Sequence, residues 1–193
     1  MADDVFVIGT RGGYEGEVGV MASMLQNARQ YLLSAVRGLD TASLDARPAP
    51  AVNTIGSILA HLAAAEVMIG LRAFENRRPT EEEKRVHGPA FQFEDSSRPA
   101  GRPLDSYLDV LRTTRETTLQ RMRGRPDSWL QESRVFAGRP ANVHYFLLHY
   151  LQANKCKSTN LKVKFHFDSF TFGLLGNRCN ILLGFSLVLF QHF

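Results

Sequence analysis

Four stretches of the chain repeat apolar residues three and four apart, the spacing that lays them along one face of a helix. The first runs from about Glu15 to Gly38, with Met21, Met24, Leu25, Ala28, Tyr31, Leu32, Ala35 and Val36 as its stripe. The second starts at Asn53 or Thr54, residue types whose side-chain oxygen can accept a bond from a free N–H of the first turn. Ile55, Ile58, Leu59, Leu62, Ala65, Met68, Ile69 and Leu71 carry it to about Phe74. The third spans about Pro103 to Arg123 on Leu104, Tyr107, Leu108, Leu111, Leu119 and Met122, with Gly124 past its end. The fourth opens with Pro140 in a first turn, where a missing N–H is tolerated, and carries Val143, Phe146, Leu147, Tyr150 and Leu151 to about Gln152.

The connections agree with this reading. Prolines in "LDTASLDARPAPAV" stop the first helix from continuing. "RRPTEEEKRVHGPAFQFEDSSRPAGRP" is a long polar excursion, in which Thr80 and Glu83 have capping-box spacing and predict a short helix with a solvated acidic start. "GTRGGYEG" is glycine-rich without phosphate-loop spacing and reads as a lead-in. With no strong strand signal before residue 153, the pattern predicts an all-α protein, an up-down four-helix bundle. After residue 152 the pattern changes. "LKVKFHFDSFTF" (Leu161–Phe172) alternates apolar and polar residues through Phe167, the period of a strand with no sheet to join.

Composition changes at the same place. Residues 1–152 hold 18 Lys+Arg and 18 Asp+Glu, so the net charge of +4 belongs wholly to residues 153–193. The main body is neutral, which removes the nucleic-acid partner that a pI near 9.3 would suggest. The first 152 residues use 17 Arg and one Lys, the last 41 one Arg and four Lys, and those 41 hold seven of the 13 Phe and none of the eight Pro. The chain therefore divides into a body, 1–152, and an atypical tail, 153–193. A frameshift, an insertion or read-through would produce such a seam, and a genuine second segment is the alternative. Both cysteines, Cys156 and Cys179, lie in the tail, so the body has no disulfide framework. The N-terminal "MADDVFVIGTRGG" lacks the basic and apolar regions of a secretory signal. "ILLGFSLVLF" is ten residues long, against the roughly 20 that a spanning helix needs. A soluble, cytoplasmic protein without a membrane partner is expected.

Candidate chemistry centres on two histidines. His61 shares a helix face with Ile58, Ala65 and Met68, so it points into the bundle. It is either a core histidine bonded to a carbonyl or hydroxyl, or a metal ligand of the kind that bundle interiors assemble from facing helices. The ligand reading needs two or three more donors, with the fourth helix, which carries His144 and His149, as the natural source. His144, five residues earlier, lies on a different face. Cys156, seven residues after His149, would share its face only if that helix continues so far.

"LLSAVRGLDTASLDARPAPAVNTIGSILAHLAAAE" (Leu32–Glu66) and "NVHYFLLHYLQ" resemble the DinB/YfiT-like metalloenzyme superfamily, over about residues 15–152. The likeness lies in the "GLD" helix end, the proline-bearing linker and a small-residue helix start leading to "LAHLAAAE". The resemblance implies a bundle holding a divalent metal, zinc or nickel, with some members catalysing transfer or isomerisation with a low-molecular-weight thiol. It implies a small-molecule substrate and allows a homodimer. In that pattern His61 matches the ligand of the second helix and His149 the leading histidine of the fourth. The family's two further ligands then fall at Ala153 and Lys157, neither of which suits a zinc-like site. The resemblance thus implies an incomplete metal site in this chain, unless Cys156 with His149 rebuilds one. A helix ending at Gln152 would also be only about 20 Å long, shorter than its neighbours.

Overall fold

In a computed structural model, which describes residues 7–47, 53–93 and 99–166, the last twelve by their backbone alone, the chain forms six helices and one hairpin. The helices are α1 (Gly16–Val36), α2 (Thr41–Asp45), α3 (Ile55–Glu75), α4 (Glu81–Gln92), α5 (Leu104–Met122) and α6 (Val143–His166). A 3-10 turn (Asp127–Gln131) and two strands, β1 (Ser133–Phe136) and β2 (Arg139–Asn142), join α5 to α6. The four long helices α1, α3, α5 and α6 are the predicted all-α bundle. The Thr54 hydroxyl accepts the Ser57 N–H at 3.0 Å and starts α3. The capping box is present on α4: Glu83 N–H donates to the Thr80 hydroxyl at 3.2 Å, and Thr80 N–H to the Glu83 carboxylate at 2.7 Å.

The helix directions depart from strict up-down alternation. The start of α3 meets the start of α5, where Gly56 lies against the Tyr107 ring. The end of α5 meets the start of α1, where the Tyr14 hydroxyl donates to the Leu119 carbonyl and Gly124 N–H to that of Gly13. So α3 and α5 run parallel, as do α1 and α6, and the order is up, down, down, up. The cause is α4. It packs back along α3 and returns the chain to the end from which α3 set out, so α5 must start there.

Two apolar clusters fill the interior. One gathers Val18 to Ala28 of α1, Ala64 to Ala73 of α3, Met122, Trp129, Leu130 and the buried face of α6 from Val143 to Leu151. The other gathers Leu32 and Val36, Leu44, the first two turns of α3, Tyr107 and Leu111. The predicted stripe of the second helix is buried throughout, whereas Tyr31 of the first faces solvent.

Two expectations about the fourth helix are corrected. Pro140 does not open it: Pro140 sits in β2 opposite Val135, and the helix starts at Val143, with the Asn142 side chain accepting the Tyr145 N–H at 2.9 Å. A two-stranded sheet is all edge, so proline is tolerated there. The loop Ala137–Gly138 has φ of 50° and 74°, the two positive values that a tight type I′ hairpin turn requires. Nor does the helix stop at Gln152. It crosses the compositional seam unbroken and runs to His166, so it is about 36 Å long, and the backbone of residues 161–166 is helix rather than strand. Backbone bonding four residues apart carries a helix across any residues that lack a breaker, and there is no Gly or Pro between Val143 and His166. The rest of the tail lies outside the described residues.

Candidate functional site

His61 is buried in α3 and faces the C-terminal end of α4. Its Nδ1 lies 2.8 Å from the Phe91 carbonyl oxygen. Its ring stacks on Phe93, centroids 4.1 Å apart and 11° from parallel, and on Phe91 at 5.6 Å and 18°. A carbonyl partner is what the core-histidine reading expects. Phe93 caps α4 in the left-handed backbone region, φ 58°, with its N–H reaching the Ala90 and Pro89 carbonyls. That conformation costs a bulky residue on the order of 1–3 kcal/mol.

His149 has other company. It lies half-buried beside the hairpin, its ring stacked on Tyr145 at 5.7 Å and tilted against Phe136 at 5.3 Å. Burial pushes its pKa below the usual histidine value. Among the described residues, His61 stacks on Phe91 and Phe93, whereas His149 meets Tyr145 and Phe136. Of the positions where the resemblance puts the remaining ligands, Ala153 is half-buried and brings no donor atom, and the side chain of Lys157, like that of Cys156, lies outside the described ones. Among the described residues, no group of three or more His, Cys, Asp and Glu is placed to hold a metal ion. The donor set they offer does not fit a divalent cation of the zinc type, which takes three or four protein ligands.

The strongest electrostatic feature lies between α1, α3, α5 and α6. The Glu66 carboxylate, 2% exposed, accepts from Arg115 Nε at 2.6 Å and Nη2 at 3.3 Å, from Arg29 Nη2 at 2.9 Å and from the Tyr150 hydroxyl at 2.5 Å. Arg115 also donates to the Leu25 carbonyl, and the Asn154 amide donates to the Tyr150 carbonyl at 2.9 Å. Burial alone pushes the Glu66 carboxyl up, but Arg115, Arg29 and the Tyr150 hydroxyl outweigh it and hold its pKa below the ordinary value. Burial and the neighbouring Glu66 charge push Tyr150 up to about 12, so it stays a donor. Burial lowers the pKa of Arg29, whereas for Arg115 the Glu66 charge overcomes burial and raises it. Arg29 and Arg115 fall between the two apolar clusters, so the four side chains tie all four long helices together at mid-bundle.

Sequence reasoning overlooked this cluster. A signal was present: Glu66 is the one charge between Ile55 and Leu71. Arg29 follows Leu25 by four residues and Arg115 follows Leu111 by four, both on the apolar stripe. A charge on a buried stripe needs a buried partner.

These features define an all-α protein, a four-helix bundle with an ionic layer at its waist and one clamped histidine. The chain belongs to the DinB superfamily, whose family model matches residues 24–152. The match ends at Gln152, beside the compositional seam. No curated protein matches the chain.

Proposed function

We propose that this chain belongs to the metal-dependent, thiol-using transferase and isomerase line of the superfamily, acting on a small molecule, and that its metal site is incomplete. The observation that supports this is Ala153, which stands one turn beyond His149 without a donor atom, beside two histidines whose rings meet different neighbours: His61 those of α4 and His149 those of the hairpin and Tyr145. Without a complete donor set there is nothing to lower a thiol's pKa for attack, and the chain then serves as a non-catalytic helical bundle. Elemental spectrometry of the purified full chain tests this. Zinc or nickel well below one ion per chain is expected. Near-stoichiometric metal that disappears in His61→Ala would overturn it.

A rebuilt site is the second reading, and the continuity of α6 favours it, because a helix that reaches His166 keeps His149 and Cys156 on one face. Their seven-residue spacing puts them about 10 Å apart along the axis, a long reach for one ion. Metal retained by the wild type and lost in Cys156→Ala would establish that reading. The nucleotide sequence around codon 153 is the cheaper check on the tail: a second frame encoding His or Glu at 153 and His at 157 would make the tail an accident of frame.

A further inference from the structure

We propose that the aromatic row of α6 beside the hairpin is a recognition notch for a small, neutral, phenol-like ring, whose hydroxyl donates to the imidazole of His149. This rests on the reading of the chain as a small-molecule protein with an incomplete metal site, and names the class of molecule. Tyr145, His149 and Ala153 stand four residues apart and so form one row along the helix. The first two rings are stacked, 5.7 Å apart and 17° from parallel, and Phe136 of the hairpin lies against them at 5.0 and 5.3 Å. Tyr145 is 38% exposed and His149 half-buried, so the row opens to solvent. Ala153, next in the row, ends at its Cβ and adds no ring on that side of the imidazole.

The polar chemistry of the row is equally restricted. Among the described residues, neither ring nitrogen of His149 nor the Tyr145 hydroxyl has a hydrogen-bond partner. Burial alone lowers the His149 pKa and raises that of Tyr145, with no ionised neighbour acting on either. A neutral imidazole always carries one acceptor nitrogen. An aromatic surface with one placed acceptor and no charge suits a neutral ring bearing a hydroxyl: the walls match the ring, and the nitrogen takes the O–H. An ion would lose hydration there without meeting a counter-charge.

The test is a titration of the metal-free full chain with p-cresol and with toluene, which has the same ring and methyl group but no hydroxyl. The aromatic NMR signals of Phe136, Tyr145 and His149 are the readout. With p-cresol all three should shift along one saturable curve, and toluene should bind roughly three- to tenfold more weakly for want of one hydrogen bond. His149→Phe keeps a ring and removes the acceptor, so p-cresol should fall to the level of toluene. Ala153→Leu extends a side chain beside the imidazole and should abolish binding of both probes, with the far-UV circular dichroism spectrum as in the wild type. Equal affinities for the two probes, p-cresol binding that survives His149→Phe, or shifts that centre elsewhere in the molecule each overturn the proposal. Metal content is read separately: stoichiometric metal sinks the incomplete-site reading, whereas the probes decide the notch on the metal-free chain.

Discussion

Replacing Glu66 by Gln tests whether the ionic layer holds the bundle together. The side chain keeps its shape and some hydrogen bonds but loses its charge, leaving Arg29 and Arg115 buried with no carboxylate between them. At an effective dielectric near 20, a charge pair at contact distance is worth about 4 kcal/mol before desolvation. Here one carboxylate attracts two guanidiniums, and its loss turns attraction into mutual repulsion. Breaking a buried pair costs about 3–5 kcal/mol, and the same loss is expected here, against a total of roughly 5–15 kcal/mol for a domain. Urea unfolding at pH 7, followed by far-UV circular dichroism, should show it, and Tm should fall by roughly 6–20 °C. The pH dependence has a definite sign. The folded Glu66 pKa lies below the ordinary glutamate value, because Arg115, Arg29 and the Tyr150 hydroxyl outweigh burial, so its stabilisation is complete above that ordinary value and is lost as pH falls through the lower folded one. The gap between wild type and Glu66→Gln should therefore narrow in acid. A loss under about 1 kcal/mol at pH 7, as for a solvated surface pair, would refute the reasoning. The triple replacement Arg29→Met, Glu66→Leu, Arg115→Met should come back close to the parent, because removing every buried charge removes the desolvation cost as well.

Other perturbations give smaller, separable effects. Tyr150→Phe removes a donor to a buried carboxylate and should cost about 1.5–3 kcal/mol in the same urea assay. In the wild type the folded Tyr150 pKa, pushed up to about 12 from 10, gives stabilisation that is complete below about pH 10 and lost as pH rises through 12, so Tyr150→Phe should flatten the alkaline limb. Gly56→Ala would set a Cβ 2.7 Å from the Tyr107 hydroxyl and 3.1 Å from its ring, and thermal unfolding should show a loss of about 1–3 kcal/mol. Thr80→Ala removes half of the capping box and should cost about 1 kcal/mol, with faster amide exchange confined to the first turn of α4.

Much of the fold was legible because helix periodicity reports burial directly. Leu25, Leu32, Ile58, Leu62, Leu111 and Phe146 were all placed inside by spacing alone, and all are buried. The hairpin was not legible, because Ala137–Gly138 supplies the required positive φ values without the usual asparagine or aspartate, and its strands are four residues long. Helix direction was not legible either: spacing marks faces, and only the packing of α4 on α3 reveals that the chain doubles back. For the candidate site, the spacing predicted that His61 would be buried and would point into the bundle; it is buried, but its ring is set against Phe91 and Phe93 at the end of α4. Its stripe faces the bundle at Ile58 and Leu62, while the imidazole is turned to α4, whose docking is a tertiary fact.

The two polar features of the interior bear differently on the seam at residue 153. Every side chain of the ionic layer comes from Arg29, Glu66, Arg115 and Tyr150, all within the stretch that matches the family. The candidate metal site instead needs residues on both sides of the seam. A change of sequence after Gln152 therefore leaves the charge network whole, and with it the alignment of α1, α3, α5 and α6, while it replaces the positions that would complete a metal site. On the proposed reading, a change after residue 152 should therefore alter metal content without altering the fold. Restoring the pattern with Ala153→Glu and Lys157→His should leave urea stability within about 1 kcal/mol of the wild type, because neither change introduces a helix breaker and every side chain of the ionic layer is kept. The same variant should raise bound zinc in proportion to the donors gained. An unchanged metal content would place His61 out of reach of α6 and leave it as the carbonyl-bonded core residue at the end of α4.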